Sequence, residues 1–164
     1  ITLYSFSYGS CAVPTCQQSL TQIGAFQTDL FARLPTEARA LMRFVTISLD
    51  PNRDQAPRWA MVASQYPMVT LAWWPVVGDE ARTRQVVGNG FGLYYRERAG
   101  QITFEPRYVL VDAARMIRAY YLSNDPDVTQ LLRDVALLRK EMAEASGAWR
   151  LAYEAAHLFA CYPK

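Results

Sequence analysis

Two cysteines, Cys11 and Cys16, share one short loop, Gly9-Ser10-Cys11-Ala12-Val13-Pro14-Thr15-Cys16, with four residues between them. The alternating, aromatic-rich run Thr2 to Tyr8 before the loop reads as a strand. From Gln17 to Leu34, apolar residues recur at helical spacing until Pro35. Thiols at a helix start face unpaired N–H groups and the positive end of the helix dipole, both of which favour the thiolate. Such a pair can close a disulfide or clamp a soft ion such as Cu(I). Closing so small a ring gains only about 2 kcal/mol of chain entropy, so redox or metal chemistry explains the pair better than fold stability does. The plain alternative is two small side chains used as core filler.

A second constellation is the turn Asp50-Pro51-Asn52-Arg53-Asp54, which follows the β-branched run Arg43 to Leu49. Its simplest reading is a capped turn with an Arg–Asp pair. Because it follows a central strand, it is expected beside the cysteine loop at the C-terminal edge of the sheet, where sites form in α/β folds. Asp50 and Arg53 are therefore candidates for supporting the thiols. Other features carry less. Trp73-Trp74-Pro75 reads as core. Gly88-Asn89-Gly90-Phe91-Gly92 lacks the dinucleotide spacing. There is no C-x-x-C-H for haem. Tyr8 and Val13, not Thr or Ser, stand three residues before the two cysteines, which argues against a peroxidatic thiol. His157, the single histidine, reads as a helix-surface residue.

The elements that must position these residues alternate. Pro57 opens a helix, Arg58 to Gln65, and a short strand is expected over Val69 to Trp73. Asp79 caps a helix that Gly88 ends. Tyr94 to Phe104 is a loop or a hairpin arm around Gly100. Tyr108 to Val111 and Met116 to Tyr121 form a strand pair. Leu131, Leu132, Val135, Leu138 and Met142 mark one stripe of a long helix. The fold class is thus α/β, with a central, mostly parallel sheet, a C-terminal hairpin edge, flanking helices and an extra C-terminal helix. Residues 1–145 form one domain. Residues 146–164 form a helical extension with Trp149, Tyr153, Ala156 and Ala160 on one stripe and Cys161 beyond it, which either caps the domain's own sheet or docks on a partner.

Composition narrows the field further. At 164 residues, 51% hydrophobic and 20% charged, the chain has the balance of one globular domain. A net charge of +2 is too small for binding nucleic acid through phosphate neutralisation. No apolar run reaches the roughly 18 residues of a membrane span. Any export signal or membrane anchor would lie upstream of Ile1, outside this sequence.

The chain also resembles the SCO/SenC family of thioredoxin-like proteins, over about Leu3 to Arg139. Phe6-Ser7-Tyr8-Gly9-Ser10-Cys11 looks like the family's F-G-Y-T-x-C. Val45-Thr46-Ile47-Ser48-Leu49-Asp50-Pro51-Asn52-Arg53-Asp54 is close to V-x-x-S-V-D-P-E-R-D, the most specific match. Trp74, Gly78, Phe91-Gly92-Leu93, Tyr95 and Tyr108-Val109-Leu110-Val111-Asp112 follow in the family's order. The resemblance implies copper delivery to, or assembly of, a respiratory cytochrome oxidase. It implies partners in that oxidase or its assembly factors. The place would be the periplasm, the outer face of the cytoplasmic membrane or the mitochondrial intermembrane space, with a membrane tether in a segment upstream of Ile1. It also implies Cys11 as the exposed thiol, Cys16 as the resolving or co-ligating thiol, and Pro106 as the fold's cis-proline facing them. Two departures bear on chemistry. The family has three residues between its cysteines, whereas this chain has four. The family's copper histidine falls on Phe104 or, with one residue of slip, Glu105. Two sulfurs without an imidazole suit Cu(I) and not Cu(II). A thiol–disulfide oxidoreductase without copper and a degenerate structural subunit of a respiratory complex remain the alternatives.

Overall fold

In the computed structural model, which describes residues 1–10 and 14–145, three parallel strands form one half of a five-stranded sheet. They are β1 (Thr2–Ser7), β2 (Arg43–Ser48) and β3 (Trp73–Val76). β6 (Tyr108–Val111) joins β1 antiparallel and β7 (Ile117–Tyr121) joins β6 antiparallel, giving the order β3-β2-β1-β6-β7. Two of the four pairings are parallel and two antiparallel, so the sheet is mixed. The parallel half needs crossovers. α1 (Pro14–Arg33) and α2 (Thr36–Leu41) join β1 to β2, and α3 (Ala56–Gln65) joins β2 to β3. α4 (Glu80–Gln85) starts on Asp79, whose side chain accepts from the Arg82 N–H at 2.8 Å. It runs into a π-helical turn, Val86–Gly90. α5 (Val128–Ala145) closes the described fold.

Strand alternation divides the core in two. Leu3, Phe44, Trp73, Leu110 and Tyr121 face α1, α3 and α5. Phe6, Ile47, Val109 and Val111 face the other way. That second face is covered by the π turn and by a separate hairpin, β4 (Tyr95–Arg98) with β5 (Gln101–Phe104). The hairpin turn is Ala99-Gly100, with φ of 49° and 78°. Two successive left-handed residues make the tight turn that matches strand twist.

Several expectations change. α1 begins at Pro14, so Cys16 lies in its first turn. α1 ends at Arg33, just before Pro35, as expected, but a second helix follows at once: the Pro35 carbonyl accepts from Ala38 and Arg39 and starts α2. The third strand lies at Trp73–Val76, not Val69 to Trp73, because Val69 and Ala72 close a turn (Ala72 N–H to the Val69 carbonyl, 2.9 Å). Trp73 is buried, but its neighbour Trp74 points to the opposite face of an edge strand and is 58% exposed, so it is not core. No described peptide bond is cis. Pro106 is therefore trans, contrary to expectation: it stands in an extended link between two different sheets, where no tight turn demands the cis form. No described helix is long and apolar enough to cross a membrane. Cys11, the geometry of the Cys11–Cys16 pair, His157, Cys161 and the extension 146–164 lie outside the described residues or side chains.

Candidate functional site

β1 ends at the C-terminal edge of the sheet, and the three residues that carry the chain from it to Cys11 are each held by a different group. The Tyr8 hydroxyl accepts from the Ile102 N–H of β5 at 3.4 Å. The Gly9 N–H donates to Asp54 Oδ2 at 2.7 Å. The Ser10 hydroxyl donates to Asp50 Oδ2. The arm is thus tied to the hairpin on one side and to the Asp50–Asp54 turn on the other. The turn closes itself as well, since the Arg53 and Asp54 N–H groups both donate to the Asp50 carbonyl. Gly9 is the residue that fits here. A Cβ would stand 3.0 Å from Arg58 Cγ and 3.2 Å from Val62 Cγ2.

The two carboxylates differ. Asp50 is paired: Arg53 Nε donates to the oxygen that accepts from Ser10. Arg53 reaches on to Glu97 Oε1 at 3.2 Å, joining the turn to the hairpin. Asp54 is fully buried and, among the described residues, has no cation in hydrogen-bonding contact. Its Oδ2 accepts from both Gly9 N–H and Ser48 Oγ, the latter at 2.7 Å. Its Oδ1 is buried with no hydrogen-bond partner among the described residues. Burial pushes the Asp54 carboxyl above its usual range, against the pull of the Ser48 and Gly9 hydrogen bonds, and the Asp50 charge adds to the push. Asp54 holds the arm through Gly9, a role the sequence pattern did not single out. The second Asp of the motif is plain in the sequence, but which carboxylate pairs with Arg53 and which is buried depends on residues outside the turn.

On the far side of the arm, Phe104 ends β5 and lines a cleft of about 360 Å³ with Pro106 and Gln18 of α1, two residues past Cys16. Phe104 therefore does face the start of α1, at the position where the resemblance puts a histidine. Glu105 turns outward, its side chain 92% exposed. The structure thus brings Asp50 and Arg53 against the arm that enters the loop, and sets Phe104 and Pro106 on its other flank. Among the described residues no three His, Cys, Asp or Glu side chains converge as a metal site. Cys11 and the side chain of Cys16 lie outside what the structure describes; of the two positions where a third ligand was expected, Phe104 offers a ring without a donor atom and Glu105 points to solvent.

Comparison with known proteins agrees with this architecture. A SCO1/SenC lipoprotein from Bacillus anthracis superposes with a TM-score of 0.71 at 17% identity, covering 84% of this chain and 80% of its own. BsSco, a member of the Sco family of cytochrome c oxidase assembly proteins with a described disulfide switch, gives 0.70 at 18% identity over 84% and 78%. Arabidopsis thaliana ScoI with copper bound gives 0.66 at 15% identity over 83% of each chain. These likenesses establish the thioredoxin-like fold. No curated protein matches the chain significantly by sequence. The SCO1/SenC family description matches residues 1–140, and the chain belongs to that family.

Proposed function

We propose that the chain is an accessory protein of respiratory cytochrome oxidase assembly, working through Cys11 and Cys16 without an imidazole ligand. The observation that carries this reading is the three-point hold on Tyr8, Gly9 and Ser10, which fixes the approach to Cys11 beside the first turn of α1. Asp50, Arg53 and Pro106 support the loop from outside and do not themselves react. Copper is cargo here: Cu(I) binds two thiolates and leaves by ligand exchange with a partner's sulfurs, with no change in oxidation state. Relatives support the assignment, since A. thaliana ScoI and yeast Sco1 have been seen with copper bound and BsSco is called an oxidase assembly protein. The B. anthracis relative is called a lipoprotein, which fits a membrane-tethered place outside the cytoplasm. Residues 146–164 serve as a docking extension on the partner.

The decisive experiment is Cu(I) titration of the reduced protein against a competing chelator. Binding at or below about 1 μM, lost in Cys11→Ser and Cys16→Ser, supports the reading; reduced protein that never competes overturns it. A second reading is favoured by the phenyl ring at position 104. In it the thiols reduce a partner's disulfide: one thiolate attacks, the other resolves the mixed disulfide, and the partner leaves with two thiols while Cys11 and Cys16 leave oxidised. Phe104→His separates the two. If the loop is a copper carrier that has lost one donor, the new imidazole tightens Cu(I) and creates a Cu(II) site, a gain of several kcal/mol visible as a nitrogen-ligated spectrum. A variant that stays blind to Cu(II) favours the reductase.

A further inference from the structure

The cleft beside Phe104 differs from the rest of this end of the molecule in what its polar groups do. Gln18, Ser19 and Gln22 of α1, Thr103 of β5 and Asn124 of the link before α5 line it. None of these five side chains makes a hydrogen bond among the described residues. No described residue lining the cleft carries a charge. Three of the five are amides, each offering a carbonyl acceptor and two N–H donors. An uncharged cavity has nothing to pair with a phosphate, a carboxylate or a bare cation. It matches a ligand that presents neutral donors and acceptors together, which is what a peptide main chain does.

The spacing agrees. Gln18 and Gln22 stand one helical turn apart on the same face of α1, a rise of about 6 Å. An extended chain shows its N–H and C=O groups to one edge every second residue, every 6.6–6.8 Å or so. The Phe104 ring, half-buried in the same cleft, supplies an apolar wall for a side chain between the hydrogen-bonded positions. We infer that this cleft binds an extended, uncharged polypeptide segment by side-chain amide to main-chain hydrogen bonds. Tyr8 lies three residues before Cys11 and Gln18 two after Cys16, so a segment seated here is presented to the cysteine loop. That link to the thiols rests on the proposed function; the binding itself needs no thiol.

The test therefore removes the thiols. A ¹⁵N-labelled Cys11→Ser/Cys16→Ser chain is titrated with a capped decapeptide of serine, threonine and valine and followed by its side-chain amide resonances. Saturable shifts of the Gln18, Gln22 and Asn124 amides are expected. Gln22→Ala with Asn124→Ala should weaken binding at least tenfold, while Gln130→Ala on exposed α5 surface leaves it unchanged. Shifts centred instead on the separate groove lined by Gln55, Trp59, Trp73 and Pro75, or none up to millimolar peptide, would overturn the inference. Because no copper or disulfide enters this experiment, it can fail while the copper titration succeeds, and the reverse.

Discussion

The Asp50–Asp54 turn and the cleft beside Phe104 flank the same arm of chain, and they use polar side chains in opposite ways. In the turn almost every polar group is spoken for: Asp50 by Ser10 and Arg53, Asp54 Oδ2 by Gly9 and Ser48, Arg53 by Asp50 and Glu97. In the cleft only the Tyr8 hydroxyl is engaged, by the Ile102 N–H, while the amides and the Ser19 and Thr103 hydroxyls are left open. Committed groups hold a conformation and tolerate little change. Uncommitted groups add nothing to folding and stay available to something else. Substitutions on the two flanks should therefore differ sharply in their cost to stability, and the series below runs from the most damaging to the least.

Asp54→Ala should cost most. It strands the Ser48 hydroxyl in a place without solvent and the Gly9 N–H at a half-buried position, and each stranded group costs about 1–3 kcal/mol, so a loss of about 3 kcal/mol in urea unfolding is expected. Asp54→Asn keeps an acceptor and should lose about 1 kcal/mol. The pair also has a pH signature. Burial raises the folded-state carboxyl above the ordinary value of 3.8. A raised acid stabilises the fold fully below its unfolded value, and that contribution is lost as pH rises through the folded value. The stability advantage of the native chain over Asp54→Asn should accordingly shrink between pH 4 and neutrality. An advantage that grows over that range would mean that the carboxylate, not the acid, is the form the fold prefers.

Gly9→Ala comes next. The backbone there needs no left-handed conformation, so the cost is steric. Arg58 can swing its long side chain away, but Val62 is only 2% exposed and cannot. A loss of about 1 kcal/mol in the unfolding free energy is expected, in line with mild overpacking of a core. Arg53→Ala should be gentler still. Its two ion pairs look substantial, yet the side chain is 41% exposed and solvent screens them. About 0.5 kcal/mol is expected, with faster hydrogen exchange at Gly9 and Ser10 as the more sensitive measure. If Arg53→Ala cost as much as Asp54→Ala, the turn would depend on its surface bridge and not on its buried carboxyl.

How much of this was legible in the sequence follows the same division. The central strands and the long helices were readable because burial on one or both faces imposes a period, as at Phe44-Val45-Thr46-Ile47 and along Leu131, Val135 and Leu138. Edges were not. Pro75 and the exposed Trp74 hide β3, because an edge strand tolerates proline and needs an apolar residue on one face only. The 95–104 hairpin was half visible: Gly100 marked the turn, but Ala99 at φ 49° is a weak turn signal and Arg96, Glu97 and Arg98 dilute the strand pattern. At the site, the motif Asp50-Pro51-Asn52-Arg53-Asp54 announced a turn beside the loop. Which carboxylate would be buried and which paired depended on Gly9, Ser10 and Ser48, distant in sequence, and no local pattern shows that.

The smallest expected effect is the most informative about the cleft. Gln22→Ala and Asn124→Ala remove side chains that make no hydrogen bond among the described residues, and Asn124 is exposed while Gln22 is half-buried. A stabilising polar side chain must either satisfy a partner or cover apolar surface, and these do little of either, so each change should stay within about 0.5 kcal/mol in urea unfolding. Removing a flexible amide also returns the entropy lost in ordering it, and a slight gain in stability is as consistent as a slight loss. A loss of more than about 1 kcal/mol in either variant would instead place the side chain in the folded structure's own hydrogen-bond network. The contrast with the Asp50–Asp54 turn would then collapse, and with it the reason for reading the cleft as open to a ligand.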